Sequence, residues 1–194
     1  EKKPGIDCVF VIPSNSKKSY QKLSETYSAI EPPTWALLLA QSIRSVNFNP
    51  KILDAAAENL SEKEIFTRIK LMSPKLICIV VYGQNVNAGT TNMSGAVNVI
   101  NYLKNNKIGK SISLIGSHAQ ALPKETLEKE KNIDFIFTNE GVYALRNVLK
   151  LKNFTTSTLK NIKGIAYREN NKIIINQPEK VVPTERMDID LPGY

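Results

Sequence analysis

The sequence predicts an α/β fold, a doubly wound sheet of five parallel strands with helices on both faces. Three observations carry that expectation. Residues 77–81 (ICIVV) are apolar at every position, not at every second one, so a strand there has no solvent face. Residues 6–12 (IDCVFVI), closed by Pro13, form a second run of this kind. Strand-like and helix-like segments then alternate as far as residue 149, the pattern of right-handed strand–helix–strand crossovers.

Taken in order, the first strand is followed by a long polar connection, residues 14–30, which is functional or mobile by its length. Its stretch 20–27 is a candidate lid. Pro32 and Pro33 open a helix, since proline suits the first turn, where its missing N–H would be unpaired anyway. Trp35, Leu38, Leu39, Ser42, Ile43 and Val46 follow at helical spacing, which reads Trp35 as core. Residues 51–54 form a strand ending in Asp54. Ser61 and Glu64 make a capping box for a helix with Ile65, Ile69 and Met72 on one face, ended by Pro74. The 77–81 strand comes next, then a helix over 92–105 with Val97, Ile100 and Leu103 inward. A strand at 111–115 ends at Gly116, a proline-led helix spans 123–129, and a strand at 134–138 leads through Asn139, Glu140 and Gly141 into the last helix. The expected strand order is 2-1-3-4-5, flavodoxin-like within the Rossmann-like class, with strands 1 and 3 flanking the switch point.

After residue 151 the character changes. Residues 153–160 are rich in Thr and Ser. Asn170 and Asn171 sit between two β-prone runs, 164–168 and 172–176, as in a hairpin. Residues 182–194 have no period and read as a linker. The expected division is an α/β domain over 1–152 and a hairpin extension with linker over 153–194.

Composition limits the partners. The net charge is +8, but the lysines are scattered (Lys17 and Lys18, Lys104 and Lys107, Lys150 and Lys152) and no basic stripe carries interleaved aromatics. The charge is read as solvated surface or a face toward an anionic ligand or partner, and nucleic acid is not expected. No apolar run is long enough for a membrane helix. Cys8 and Cys78 each fall inside a buried strand, so reduced thiols and a cytoplasmic setting are expected, with no metal-ligand set.

In wound sheets the ligand lies beyond the carboxyl ends of the strands. Those ends hold Pro13, Ser14 and Asn15; Tyr82, Gly83, Gln84 and Asn85; Gly116, Ser117 and His118; and Asn139, Glu140 and Gly141. Glycines and short polar side chains of this kind bind a polar cofactor through backbone N–H groups and amides. They supply little that breaks bonds. The chain has a single histidine, and no base stands beside a nucleophile. No GxGxxG follows the first strand and no GxxxxGK[ST] occurs, so neither a dinucleotide fingerprint nor a P-loop is present. The acidic pair and strand-end Asp of a response-regulator receiver are replaced by Pro13-Ser14-Asn15 and Tyr82-Gly83. His118 is either a rim residue or a ligand contact. Glu140 is either a ligand contact or an acidic residue favourable to the dipole of the helix it opens. Tyr82 and Gln84 are read equally as loop packing and ligand contact.

Residues 31–83 (EPPTWALLLAQSIRSVNFNPKILDAAAENLSEKEIFTRIKLMSPKLICIVVYG) resemble the start of the cobalamin-binding domain of cobalamin-dependent, class B radical SAM enzymes. The segment GSHAQALPKETL is similar to that family's Gly-Gly-x-His segment, DFIFTNEGVYAL to its Gly-Glu-Gly-Glu segment, and DIDLPGY to the linker before the radical SAM barrel. Ser117, Asn139 and Val142 depart from the pattern, standing where the family has Gly, Gly and Glu. The resemblance implies a module that binds cobalamin at the carboxyl edge, base-off, because the Asp-x-His-x-x-Gly motif for a cobalt-ligating imidazole is absent. Loops after strands 1, 3 and 4 would meet the corrin ring, with His118, Glu140 and Gly141 near the nucleotide tail. It also implies that the iron–sulfur cluster and S-adenosylmethionine belong to a downstream radical SAM domain, and that the module is not catalytic alone. The rival reading is a protein-interaction domain of the same fold that no longer binds corrin. A weaker third is a small-molecule enzyme of the flavodoxin-like class.

Overall fold

The computed structural model describes residues 5–13, 32–82 and 86–193, with the side chains of 86–91 left out. Its centre is built from the runs that have no polar face. Strands β1 (Cys8–Ile12), β2 (Pro50–Asp54), β3 (Leu76–Val81), β4 (Ser111–Gly116) and β5 (Phe135–Phe137) pair in parallel, in the order β2-β1-β3-β4-β5. Every residue of β3 is buried. Because side chains alternate across a strand, each run feeds two cores. Cys8, Phe10, Cys78 and Val80 face one side, and Val9, Val11, Ile77 and Ile79 the other.

The first core is covered by helices α1 (Thr34–Arg44) and α6 (Val142–Lys150). The second is covered by α2 (Glu62–Met72) and α3 (Val86–Asn105), with the short helices α4 (Ser117–Ala121) and α5 (Pro123–Lys129) beside them. The inward residues of α3 are Ala96, Val99, Ile100 and Leu103, while Val97 is only half-buried. Helix α4 was not expected, since five residues are too few to show a period.

The sheet is a correction to the five-stranded expectation. It has seven strands and is mixed: β6 (Ile165–Glu169) and β7 (Lys172–Ile175) add to its edge, antiparallel. Phe135 pairs with Tyr167 and Phe137 with Ile165, so the hairpin extends the same sheet. Asn170 and Asn171 both have positive φ (46° and 64°), as a two-residue hairpin turn requires. Between α6 and the hairpin stands a short helix, α7 (Thr156–Leu159), which places Leu159 in the first core. Residues 182–193, expected as a linker, carry local helical structure. A 3-10 turn (Thr184–Arg186) runs into helix α8 (Met187–Asp190), and Leu191 is buried in the first core.

The capping box of α2 forms as expected. Ser61 N donates to Glu64 Oε2 at 2.9 Å and Glu64 N donates to Ser61 Oγ at 3.4 Å. Ser61→Ala removes the side-chain cap and is expected to cost about 1 kcal/mol in chemical denaturation, with no change in the visible-range signal of any bound ligand.

Candidate functional site at the carboxyl edge

Four elements converge at the carboxyl ends of the central strands. Tyr82 follows β3 directly, α4 starts directly after the last residue of β4, residues 139–141 follow β5, and α1 has its first turn on this side because it runs back toward the start of β2. Gly116 belongs here for a steric reason. Its backbone is extended (φ 163°), which any residue tolerates, but a Cβ would lie 2.2 Å from the carbonyl oxygen of Val81. Only a glycine lets the ends of β3 and β4 close together. Gly141 has φ +82° and starts α6; a Cβ there would meet Ile115 Cδ1 at 2.4 Å.

A chain of neutral hydrogen bonds crosses this rim. The Gln120 side-chain amide, on α4, donates both to the Tyr82 hydroxyl and to the main-chain oxygen of Asn139. One side chain thus ties together the loops after β3, β4 and β5. The Tyr82 ring packs on Trp35 with centroids 5.5 Å apart and planes tilted by 55°. Burial pushes the Tyr82 phenol up to about 12, against a smaller opposing effect of its bond from Gln120, so it stays protonated at any physiological pH.

Of the residues expected to touch a cofactor, Ser14, Asn15, Gly83, Gln84 and Asn85 lie outside the described residues, as does the candidate lid at 20–27. Pro13 is buried after β1, and Tyr82, Ser117 and His118 are half-buried on the rim. Asn139 and Glu140 have structural work of their own. Asn139 Oδ1 accepts from Gly141 N at 3.0 Å and its Nδ2 donates to the Glu179 carbonyl at 3.0 Å. Glu140 Oε1 accepts from Val182 N at 2.5 Å, so its carboxylate holds the passing chain. The structure therefore brings Tyr82, Gly116, Ser117, His118 and Asn139 to one edge, and places Asn139 and Glu140 against residues 179–182. Trp35 and Gln120 were missed as rim residues. Gln120 had a signal: it is an amide four residues beyond the end of a central strand. Trp35 was masked by its fit to the apolar stripe of α1.

A cavity of about 750 Å³ opens elsewhere, on the flank between α1 and α6, lined in part by Phe48, Tyr143, Lys150, Lys180 and Arg186. Its guanidinium groups, from Arg146 and Arg186, are already bound to Asp190, so it is not assigned the ligand. Among the described residues no cluster of His, Cys, Asp and Glu is arranged to hold a metal ion, and no helix is long and apolar enough to cross a membrane.

No family model matches the chain. Solved structures with the same arrangement exist. A cobalamin-dependent S-adenosylmethionine radical enzyme, OxsB, solved with aqua-cobalamin and S-adenosylmethionine bound, superposes with a TM-score of 0.66 at 16% identity, over 96% of this chain and 25% of that one. The radical S-adenosylmethionine methyltransferase TsrM from Kitasatospora setae, solved with cobalamin and an iron–sulfur cluster, gives 0.65 at 13% identity, over 93% and 30%. The fold is shared with cobalamin-dependent radical SAM enzymes. In sequence, the chain is 26% identical over 163 residues to an uncharacterised methyltransferase of Pyrococcus horikoshii, covering 84% of this chain and 33% of that protein. It is 22% identical over 148 residues to the anaerobic magnesium-protoporphyrin IX monomethyl ester cyclase of Cereibacter sphaeroides, covering 74% and 23%. The chain thus spans a third or less of the length of these relatives.

Proposed function

We propose that this chain is the cobalamin-binding module of a radical SAM enzyme, holding cobalamin base-off at the carboxyl edge of its sheet. The observation that carries the reading is the character of that edge. Hydrogen-bonding groups on closely packed strand ends make up most of it: Tyr82, Gln120, Ser117, His118 and the N–H of Trp35, with Glu140 held to the Val182 N–H. A corrin ring is rimmed with carboxamides, and neutral donors and acceptors match it in kind. The two solved structures with this fold, both of enzymes captured with a cobalamin, support the same assignment. When bound, cobalamin would supply methyl transfer or related radical chemistry to the full-length enzyme, and the protein would bind and orient it. Loops after β1, β3 and β4 would face the ring, with His118, Glu140 and Gly141 toward the nucleotide tail. No imidazole is assigned beneath the cobalt. The iron–sulfur cluster and S-adenosylmethionine would be held by a radical SAM domain downstream in the same polypeptide, reached through residues 153–194, and this module alone would catalyse nothing. A cytoplasmic setting fits the two buried free thiols.

A second reading is favoured by one feature. Asn139 and Glu140 are engaged with residues 179–182, and Gln120 already closes the rim to Tyr82 and Asn139. A rim satisfied in this way suits an interaction domain that no longer takes a corrin. Gel filtration after mixing with hydroxocobalamin separates the two. The carrier reading expects the colour to co-elute with micromolar protein, with the absorption band moved to its base-off position. Colourless protein supports the interaction domain and removes the carrier.

A further inference from the structure

We infer that Trp35 is a ligand-recognition residue, whose indole N–H donates to a carboxamide oxygen on the edge of the corrin ring. This rests on the cobalamin reading above and adds to it a contact that the sequence motifs do not assign. Trp35 stands in the first turn of α1, at the carboxyl edge, with its ring against Tyr82. Its Nε1 is buried and has no acceptor. Buried N–H groups without a partner are rare, because the group has lost its water and gained nothing in return.

The other buried polar atoms without partners differ from this one. Arg146 and Arg168 leave only Nε unpaired, while their terminal nitrogens bond to Asp190 and to main-chain oxygens. Ser42 is in the middle of α1, away from the edge. Trp35 alone places an unmatched donor on the rim, among the described residues. The Tyr82 oxygen and the Asn139 main-chain oxygen accept from Gln120, and the indole N–H bonds to neither. The acceptor is uncharged, since the indole packs on a phenol that burial keeps protonated, and the rim carboxyl whose charge acts on that phenol, Glu140, disfavours an anion beside it. A carboxamide oxygen at the ring periphery has that chemistry. A phosphate oxygen of the nucleotide tail does not.

Trp35 is the only tryptophan in the chain, which makes the test direct. The single indole N–H proton resonance of the unaltered protein is followed by NMR while hydroxocobalamin, and separately cobinamide, which lacks the nucleotide tail, is added. The expected result is a downfield shift and slower exchange with water for both. Trp35→Phe, which keeps a ring against Tyr82, is expected to weaken both corrinoids by about five- to tenfold. The resonance alone decides if the variant does not fold. If the unaltered protein retains both corrinoids while the indole proton does not move and Trp35→Phe binds equally well, the Trp35 assignment falls and the module stands. An effect seen with hydroxocobalamin only would put the acceptor on the tail and overturn the ring assignment. If neither corrinoid is retained, the module reading falls, and this contact with it.

Discussion

Asp190→Asn is expected to release residues 184–191 from the body of the protein while leaving the sheet folded. Asp190 is the last residue of a four-residue helix, and its side chain is only 6% exposed. Helices that short do not persist by themselves. What holds this one is a set of donors on one carboxylate: Arg146 Nη1 at 2.8 Å, Tyr143 Oη at 2.6 Å and Arg186 Nε at 2.7 Å. Arg146 Nη2 also donates to the Asp190 main-chain oxygen at 2.9 Å and to the Ser42 carbonyl at 3.1 Å, so one buried guanidinium joins α1, α6 and α8. Removing one member of a buried ion pair costs about 3–5 kcal/mol, because the other charge is left uncompensated. The cheaper outcome here is local: the segment lifts off and water reaches Arg146. Faster amide exchange over 184–191 and new tryptic cutting after Arg186 would show it, with exchange in β1, β3 and β4 unchanged. Parent-like protection in the variant would mean that Leu191 alone anchors the segment.

The same contact sets a pH dependence. The side-chain bond from Arg186, then those from Tyr143 and Arg146, hold the Asp190 carboxyl well below the usual range, against the opposing effect of burial. A carboxyl lowered in the folded state contributes stability that is complete above its unfolded value of about 4 and is lost as pH falls toward the folded one. The docked segment should therefore be insensitive to pH near neutrality and loosen in acid. Exchange over 184–191 measured down the acid limb checks this.

Those contacts also explain what could be read in the sequence. Runs such as ICIVV announce a buried strand because the pattern is local: every position is apolar, whatever lies elsewhere. The parallel strands and the capping box of α2 were legible for that reason. The role of Asp190 was not, since its buried partner, Arg146, lies 44 residues away and a charged side chain between apolar neighbours reads locally as a solvated position. The hairpin was visible through Asn170 and Asn171, but its place at the edge beside β5 depends on long-range pairing between Phe135 and Tyr167. At the rim the same division holds. Glycines and polar residues after strands marked the edge. They did not reveal that Glu140 would bond Val182 or that Gln120 would bridge three loops, because those depend on the path of the returning chain.

Gly116→Ala, a change of one methyl group, is expected to be as damaging as the loss of the Asp190 contact. Strand pairing puts Gly116 opposite Val81, and the added Cβ would lie 2.2 Å from the Val81 oxygen, 2.9 Å from its carbonyl carbon and 3.1 Å from its Cβ. Two of those atoms are main chain, so no side-chain rotation relieves the clash. The ends of β3 and β4 must separate, and with them Tyr82 and α4, which carry the two ends of the Tyr82–Gln120 bond. Overpacking in a closed core costs about 1–3 kcal/mol, and a clash with backbone belongs at the upper end or above. Gly5→Ala is the control, since nothing lies within 4 Å of a Cβ there, and it should be neutral. Denaturation midpoints of the two variants test the steric account, and corrinoid retention by Gly116→Ala below its unfolding midpoint tests the functional one. Equal midpoints for the two alanine variants would show that the strand ends part without cost and that Gly116 is not the residue that closes the rim.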